Sequence, residues 1–303
     1  MSRPAQSPLV SVALPVYNGA DTVAQVVESV LAQTHSNLEL VISDNASTDG
    51  TQEICRGFAR RDPRVVYQRH ATNVGLLNNF VSAAHHATGT YLRWIGDDDT
   101  LEPNYVSRVL DAFAEDERRV VVTTQIVYVD ADGVETLDTS YTPSALASDD
   151  PVERFAGMLR LLTTDFATID PLYGVIRREL ATIPRRNMLR EDQVFAARLA
   201  LAGPWGHVAA PLAGRPRQEG SATYLAGLLG VPRWHRHVRI LLQCRELSRW
   251  VARSSLGPEQ RRRAHAEILR FYGRGKRITA RRGVAKLERL AGRPVGLSPS
   301  GAR

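Results

Sequence analysis

The sequence predicts an α/β protein: a mostly parallel, twisted sheet flanked by helices, followed by a basic helical C-terminal extension. Three observations carry this prediction. Over the N-terminal half, short β-branched runs alternate with stretches whose apolar residues recur at intervals of three and four, the rhythm of right-handed βαβ units. Three consecutive carboxylates, Asp97-Asp98-Asp99, close an apolar segment, where open α/β sheets place their ligands. Charge is also split along the chain. Residues 231–303 hold 19 of the 39 Lys and Arg but only 4 of the 32 Asp and Glu, so a segment with a surplus of 15 positive charges follows an acidic body.

Each element can be justified in order. Leu9 to Leu14 reads as a buried first strand ended by Pro15, leaving through Pro15-Val16-Tyr17-Asn18-Gly19. Asp21 is placed to cap a helix whose apolar face is Val23, Val26, Val27, Val30 and Leu31. Leu38 to Ile42 is a second strand, running into a loop from Ser43 to Thr51 rich in side chains that bond their own backbone. There Asp49 and Gln52 have the spacing of a reciprocal cap for the next helix. Val65 to Gln68 is a third strand, followed by the Asn73-Val74-Gly75 loop and a helix to about His86. Tyr91, Leu92, Trp94 and Ile95 form the strand that feeds the acidic turn. Beyond it the pattern predicts a helix through Tyr105 and Phe113, a strand over Val120 to Val129, a hairpin turn at Asp132-Gly133 and an exposed loop from Leu137 to Asp149. A helix then starts at Asp150-Pro151, with a strand over Pro171 to Ile176 and a helix over Glu191 to Leu201 that turns Val194, Leu199 and Leu201 inward. The basic region reads as one long helix, with Trp234, Val238, Leu241, Cys244, Leu247 and Val251 at helical spacing. Two shorter helices follow, through Ile268 and Tyr272, then Val284, Leu287 and Ala291.

Three adjacent carboxylates repel one another. A hard divalent cation such as Mg2+ or Mn2+ relieves that repulsion and leaves positions for substrate phosphates; the competing reading is a solvated acidic turn capping the helix near Asn104. Other classes are disfavoured. Cys55 and Cys244 are too few for a disulfide framework or zinc ribbon, so a reducing cytoplasm is expected. The pairs His85-His86 and His235/His237 lack further ligands at metal spacing and read as solvated or capping residues. No Gly-x-Gly-x-x-Gly or Gly-Lys-Ser/Thr loop occurs, which speaks against dinucleotide and P-loop chemistry. The opening MSRPAQSP lacks the apolar core of a signal peptide, and no apolar run approaches the ~18 residues of a membrane span. A cytoplasmic protein is expected, soluble or peripheral at the inner face of a membrane.

Four motifs in order, LPVYNGADTV, SDNASTDGT, GDDDTLEP and Glu191-Asp192 heading a helix, make the chain resemble the family 2 glycosyltransferases, inverting enzymes of the nucleotide-binding GT-A fold. The resemblance spans roughly residues 8 to 220. It implies a GT-A domain over 8–228; a flexible polar tail over 1–7 and the basic helical region over 229–303 lie outside it. Within the domain, 8–119 would form the nucleotide-sugar half and 120–228 the acceptor and catalytic-base half. By position, Pro15, Val16 and Tyr17 would line the base pocket, Asp44 and Asn45 would bond the base edge, and Asp98 would meet the ribose. Asp99 would hold the divalent cation, Mg2+ or Mn2+, with Asp97 as its auxiliary, and Asp192 would be the catalytic base. Glu191 would hold a neighbouring basic group or cap the helix, and Asp49 would be structural. Two departures stand out: Gly96 replaces the leading carboxylate of the acidic turn, and the segment Arg215 to Ser221 lacks the histidine that relatives often carry. Arg217, Gln218 or Glu219 would substitute for it, or the contact is absent.

The resemblance implies a nucleoside-diphosphate sugar donor, of UDP or dTDP type, and an acceptor hydroxyl. Two rivals are a non-catalytic GT-A-like scaffold, which would need neither Asp99 nor Asp192, and a sugar nucleotidyltransferase, which would show a Gly-rich basic triphosphate loop after strand one. For the basic region, an anionic membrane surface and packing on the catalytic domain or on a second subunit stay open. Nucleic acid comes third, because no aromatic platform accompanies the charge.

Overall fold

The computed structural model describes residues 7–137, 143–164, 171–216 and 222–290. The N-terminal half follows the predicted alternation: β1 (Val10–Val16), α1 (Val23–Leu31), β2 (Leu38–Asp44), α2 (Thr51–Arg61), β3 (Val65–Arg69), α3 (Leu76–His86) and β4 (Tyr91–Trp94). β2 and β4 flank β1 in parallel and β3 extends β2. The register sets Val16 beside Asp44 and Asp44 beside Arg69, so β1, β2 and β3 end together, while Trp94 ends β4 beside Ala13, three residues earlier.

The remaining elements are β5 (Thr100–Leu101), α4 (Tyr105–Glu115), β6 (Val121–Val129), β7 (Glu135–Leu137), α5 (Pro151–Thr164), β8 (Val175–Arg177), α6 (Arg178–Ala181), α7 (Glu191–Ala202), β9 (Trp205–Pro216), α8 (Ala222–Leu228), α9 (His235–Arg253) and α10 (Pro258–Leu290). The sheet order is β3-β2-β1-β4-β8-β6-β9-β5, with β7 on β6. The β3-to-β4 part is parallel. β8 then runs antiparallel between β4 and β6, β9 runs parallel to β6, and β5 pairs antiparallel with β9.

Side chains alternate across this sheet with the two-residue period of a strand. Val10, Val12, Leu14, Ile95, Val122 and Val175 join a core with α1 and α4, whereas Ala13, Leu92, Trp94, Val121 and Ile176 join one with α5, α7, α9 and α10. Cys244, Leu247 and Val251 of α9, with Ala264, Ile268 and Phe271 of α10, belong to the second core. Burying each Leu, Ile or Phe contributes roughly 1.5–3 kcal/mol. The basic region is thereby built into the α/β body through one face of each helix.

Several expectations need correction. Pro15 does not end β1; the strand runs on through Val16, with Pro15 opposite Ser43. Thr22, not Asp21, stands at the N-cap of α1, and no side chain caps that helix. Asp49 does not pair with Gln52; its carboxylate accepts from the Thr51 amide (3.0 Å) and hydroxyl (2.5 Å) and from the Ala20 amide (3.1 Å). Those donors, the Thr51 hydroxyl first, lower its pKa. The segment Pro171 to Ile176 splits into a 3-10 turn at Pro171–Tyr173 and the short β8. α7 is buried on every side from Val194 to Ala200, while Leu201 is only half-buried. The two short helices expected after α9 are one, α10; Ala291 lies outside the described residues. β5 and β9 were not anticipated at all. No helix among the described residues is long and apolar enough to cross a membrane.

Candidate active site

The parallel register brings three loops to one edge of the sheet. Tyr17, the first residue out of β1, is 47% exposed, while Pro15 and Val16 are buried in the strand end. Hydrogen bonds join the first loop to the second: the Asn18 amide donates to Ser47 Oγ (2.9 Å), the Thr48 amide to Asn18 Oδ1 (2.8 Å) and the Gly19 amide to Thr51 Oγ1 (2.9 Å). Asn18 and Ala46 both hold left-handed backbone, at φ of 55° and 61°. Non-glycine residues hold that conformation only where the surroundings enforce it.

Asp44 is fully buried at the end of β2. Its Oδ1 accepts from the Ser47 amide (2.8 Å), and its Oδ2 accepts from the Tyr67 hydroxyl (2.7 Å) and faces Arg69 Nε at 3.2 Å. Asn45 bridges to the next loop: its amide nitrogen donates to Asn73 Oδ1 (3.0 Å) and its carbonyl accepts from the Val74 amide (2.8 Å). Asn45 therefore fixes the wall formed by Asn73 and Val74.

The acidic turn folds against these loops. A Cβ on Gly19 would lie 2.8 Å from Asp97 Oδ2, so the first loop passes the turn at a distance only glycine allows. A Cβ on Gly96 would lie 3.0 Å from Asp98 Oδ1 and 3.1 Å from Asp99 Oδ2, which leaves little room for the missing leading carboxylate. Asp99 Oδ2 accepts from the Gly96 amide (2.9 Å). Asp99 Oδ1 is buried and makes no hydrogen bond; Arg215 Nε of β9 stands 3.6 Å away. Burial raises the pKa of Asp99 against the opposing pull of Arg215, the Gly96 amide and Arg93. Burial, reinforced by the charge of Asp98, raises that of Asp97 to about 6. A buried carboxylate oxygen without a donor, beside two further carboxylates, fits a hard cation. Among the described residues no group of three or more His, Cys, Asp or Glu side chains is arranged to hold a metal ion by itself.

Three residues that sequence reasoning missed support this turn. The Arg215 guanidinium lies over the Tyr173 ring at 3.4 Å. Arg93, buried in β4, donates to the Tyr105 hydroxyl and the Tyr173 carbonyl. β9, which carries Arg215, also pairs Thr100 with Gly214 and Leu101 with Ala213, just beyond the acidic turn. The segment Arg215 to Ser221 was flagged for a missing histidine, yet Arg217, Gln218 and Glu219 lie outside the described residues. Arg215, two positions before Arg217, faces Asp99 of the turn.

Glu191 and Asp192 open α7, which packs against the Pro171–Tyr173 turn. The buried Glu191 carboxylate is held by Arg185, through Nε at 2.6 Å and through Nη2. Arg185 in turn lies 4.4 Å over Phe195 and 5.5 Å over Trp94, the last residue of β4. Asp192, one position on and rotated about 100° around the helix, is half-buried.

Strand ends, acidic turn and flanking helices define the class, a GT-A glycosyltransferase fold. The family model "Glycosyl transferase family 2" matches residues 11–181, more than half of the sequence, and the chain belongs to that family. Among its relatives, glycosyltransferase GlyG of Streptococcus pneumoniae is 28% identical over 57% of this chain and 58% of its own. The putative glycosyltransferase EpsE of Bacillus subtilis is 36% identical over 42% and 46%. The chain thus spans about half the length of these relatives. In structure it is similar to TarS 1–349 of Staphylococcus aureus, solved with UDP-GlcNAc, at a TM-score of 0.62 over 87% of this chain and 72% of that one. It is also similar to the mannosyltransferase PcManGT of Pyrobaculum calidifontis, solved with GDP-Man and Mn2+, at a TM-score of 0.52 over 95% and 81%. Both are 17% identical to it and speak to the fold.

Proposed function

We propose that this chain is an inverting glycosyltransferase that moves a sugar from a nucleoside-diphosphate sugar to an acceptor hydroxyl. The observation that carries the reading is the junction of the first loop, Asp44 and the acidic turn at one sheet edge, with a buried Asp99 oxygen that makes no hydrogen bond. Tyr17, with Pro15 and Val16 behind it, offers a flat face to the base. Asp44, held by three neighbours, would accept from a ring N–H such as N3–H of uracil or thymine, a donor that adenine and cytosine lack, so UDP or dTDP donors are favoured over those bases. Asn45 shapes the pocket through Val74, and Asp98 meets the ribose. Asp99, with Asp97, would hold Mg2+ or Mn2+, which when bound offsets the charge growing on the departing diphosphate. The UDP-GlcNAc of TarS and the GDP-Man and Mn2+ of PcManGT support a donor of this kind.

In the transfer, the acceptor oxygen forms a bond to the anomeric carbon as the bond to the diphosphate oxygen breaks on the opposite face. The acceptor proton passes to an Asp192 carboxylate oxygen, and the nucleoside diphosphate leaves. General-base help of this kind contributes about 10²- to 10⁴-fold. The scaffold reading has no use for Asp99 and Asp192 in these places.

The same region gives the best account of location. Trp234 (57% exposed) at the N-cap of α9 and Leu241 (55%) within it are exposed, as are Tyr224 and Leu228 of α8. From Ala222 to Arg245 the sequence contains four Arg and no carboxylate. Exposed aromatic and aliphatic side chains among arginines fit the headgroup zone of an anionic bilayer, where each basic residue contributes about 1 kcal/mol. Sedimentation with phosphatidylglycerol-containing vesicles, compared with neutral ones, tests it.

For the activity, the test is a panel of UDP-, dTDP- and GDP-sugars scored for Mn2+-dependent thermal stabilisation and hydrolysis. At a ligand concentration about 100-fold above Kd, stabilisation is ~2.7 kcal/mol. A response to uridine or thymidine donors that needs Mn2+ supports the reading; no response to any donor with Mn2+ or Mg2+ contradicts it.

A further inference from the structure

Gln243 is a fully buried amide on α9, well outside the span that the family model matches. Its carbonyl accepts from Arg190 Nη1 at 3.2 Å and its amide nitrogen donates to Gln193 Oε1 at 2.9 Å. Arg190 and Gln193 bracket Glu191 and Asp192. One side chain from the basic region therefore holds both flanks of the turn that carries the proposed base.

The backbone there needs such a hold. Arg190, the N-cap of α7, has φ 65° and ψ 29°, left-handed backbone that costs an L-residue with a Cβ roughly 1–2 kcal/mol. A glycine would take this conformation freely; an arginine takes it here with its side chain bonded to Gln243. Two further contacts tie the approach to α7 to the same region. Asn187 donates to the Leu229 carbonyl (2.6 Å), and Arg186 faces Glu246 of α9 at 3.5 Å. Arg185, the neighbouring residue, is engaged instead by Glu191 and the Trp94 and Phe195 rings. The approach to α7 is thus held from α9 and the segment before it on one side, and from β4 on the other.

We propose that Gln243 is a positioning residue of the transfer reaction: by bridging Arg190 and Gln193 it sets the first turn of α7 and hence the direction of Asp192. The basic helical region is then part of the catalytic apparatus as well as a surface. The inference rests on the reading of Asp192 as base, and its test separates the two.

Gln243→Leu removes both bonds at similar size. Gln243→Glu keeps both, because the carboxylate accepts from Arg190 and the Gln193 amide turns over to donate. With the full chain, amide hydrogen exchange over residues 188–194 is expected to quicken about tenfold or more in Gln243→Leu, while β1 to β4 keep wild-type protection. Release of UDP from whichever UDP-sugar the wild type turns over fastest should fall about tenfold in kcat, with the Kd for UDP and Mn2+ within about twofold. Gln243→Glu should restore both readings. Unchanged exchange at 188–194 in Gln243→Leu, or a Glu variant as impaired as the Leu variant, overturns the proposal. Should Gln243→Leu fail to fold, Gln193→Leu, which breaks one of the two bonds at a half-buried site, takes its place with the same expectations at smaller size. Asp192→Asn is run beside them. If it keeps wild-type turnover, the base assignment falls, and the exchange comparison alone decides whether Gln243 sets the turn.

Discussion

The residues proposed to bind the donor, Tyr17, Asp44 and Asp97 to Asp99, follow the ends of β1, β2 and β4, neighbours in parallel register, whereas Tyr173, Arg215 and the proposed base Asp192 belong to a short turn, a bulged strand and a helix start. In the first region a residue's place follows from where its own strand stops. In the second it follows from long-range pairing: β8 wedged antiparallel between β4 and β6, β9 beside β6, and β5 on β9. The proposed donor contacts thus rest on a regular scaffold, and the groups proposed to serve the transfer rest on an irregular one. Substitutions in the two regions should accordingly separate binding from turnover.

The largest separation is expected at Asp192. Asp192→Asn keeps the shape and removes the proton affinity, so transfer to the acceptor should fall by about two orders of magnitude or more while UDP and Mn2+ bind as in the wild type. Near wild-type transfer by this variant, with transfer lost in Glu191→Gln instead, would move the base by one residue. That outcome conflicts with the hold of Arg185 on Glu191.

A smaller effect should cross from the irregular region to the regular one. A Cβ on Gly214 would lie 2.5 Å from Thr100 Oγ1, so Gly214→Val should force β5 off β9 and loosen the acidic turn. Calorimetry should show about a tenfold loss in affinity for UDP with Mn2+, roughly 1.4 kcal/mol. Unchanged affinity would mean that the turn holds its shape without β9.

What could be read in advance divides along the same line. Every element from β1 to α4 except β5 was legible, because each is a local pattern of one period. β9 was not, because Gly206, Pro211 and Gly214 dilute its apolar alternation. Its pairing with β6 skips from Val208 opposite Thr124 to Pro211 opposite Gln125, a bulge that takes in the proline. Without β9 neither β5 nor the meeting of Arg215 with Asp99 could be foreseen. Gln243 was hidden for another reason: within a helical apolar face a glutamine reads as solvated, and only its partners on α7 show otherwise.

An effect of a different kind, on stability and not on binding alone, concerns protons in the acidic turn. The pKa of Asp97 rises from 3.8 in the unfolded chain to about 6 in the fold, so the folded state binds the proton more tightly and stability declines as pH rises through that interval. Asp97→Asn should therefore stabilise the metal-free protein by up to about 3 kcal/mol, or ~5 °C in Tm, at pH 7.5, a gain that disappears near pH 4. For the same reason, affinity for Mn2+ should weaken as pH falls through about 6. A gain independent of pH would assign the effect to packing.

The most direct measurement is titration calorimetry of UDP into the full chain with and without Mn2+, repeated on Asp99→Ala. We expect binding that depends on Mn2+ in the wild type, its loss in the variant and an unchanged circular dichroism spectrum. Equal affinity in the variant, with or without Mn2+, would contradict the assignment of the strand-end cluster as the nucleoside-diphosphate site.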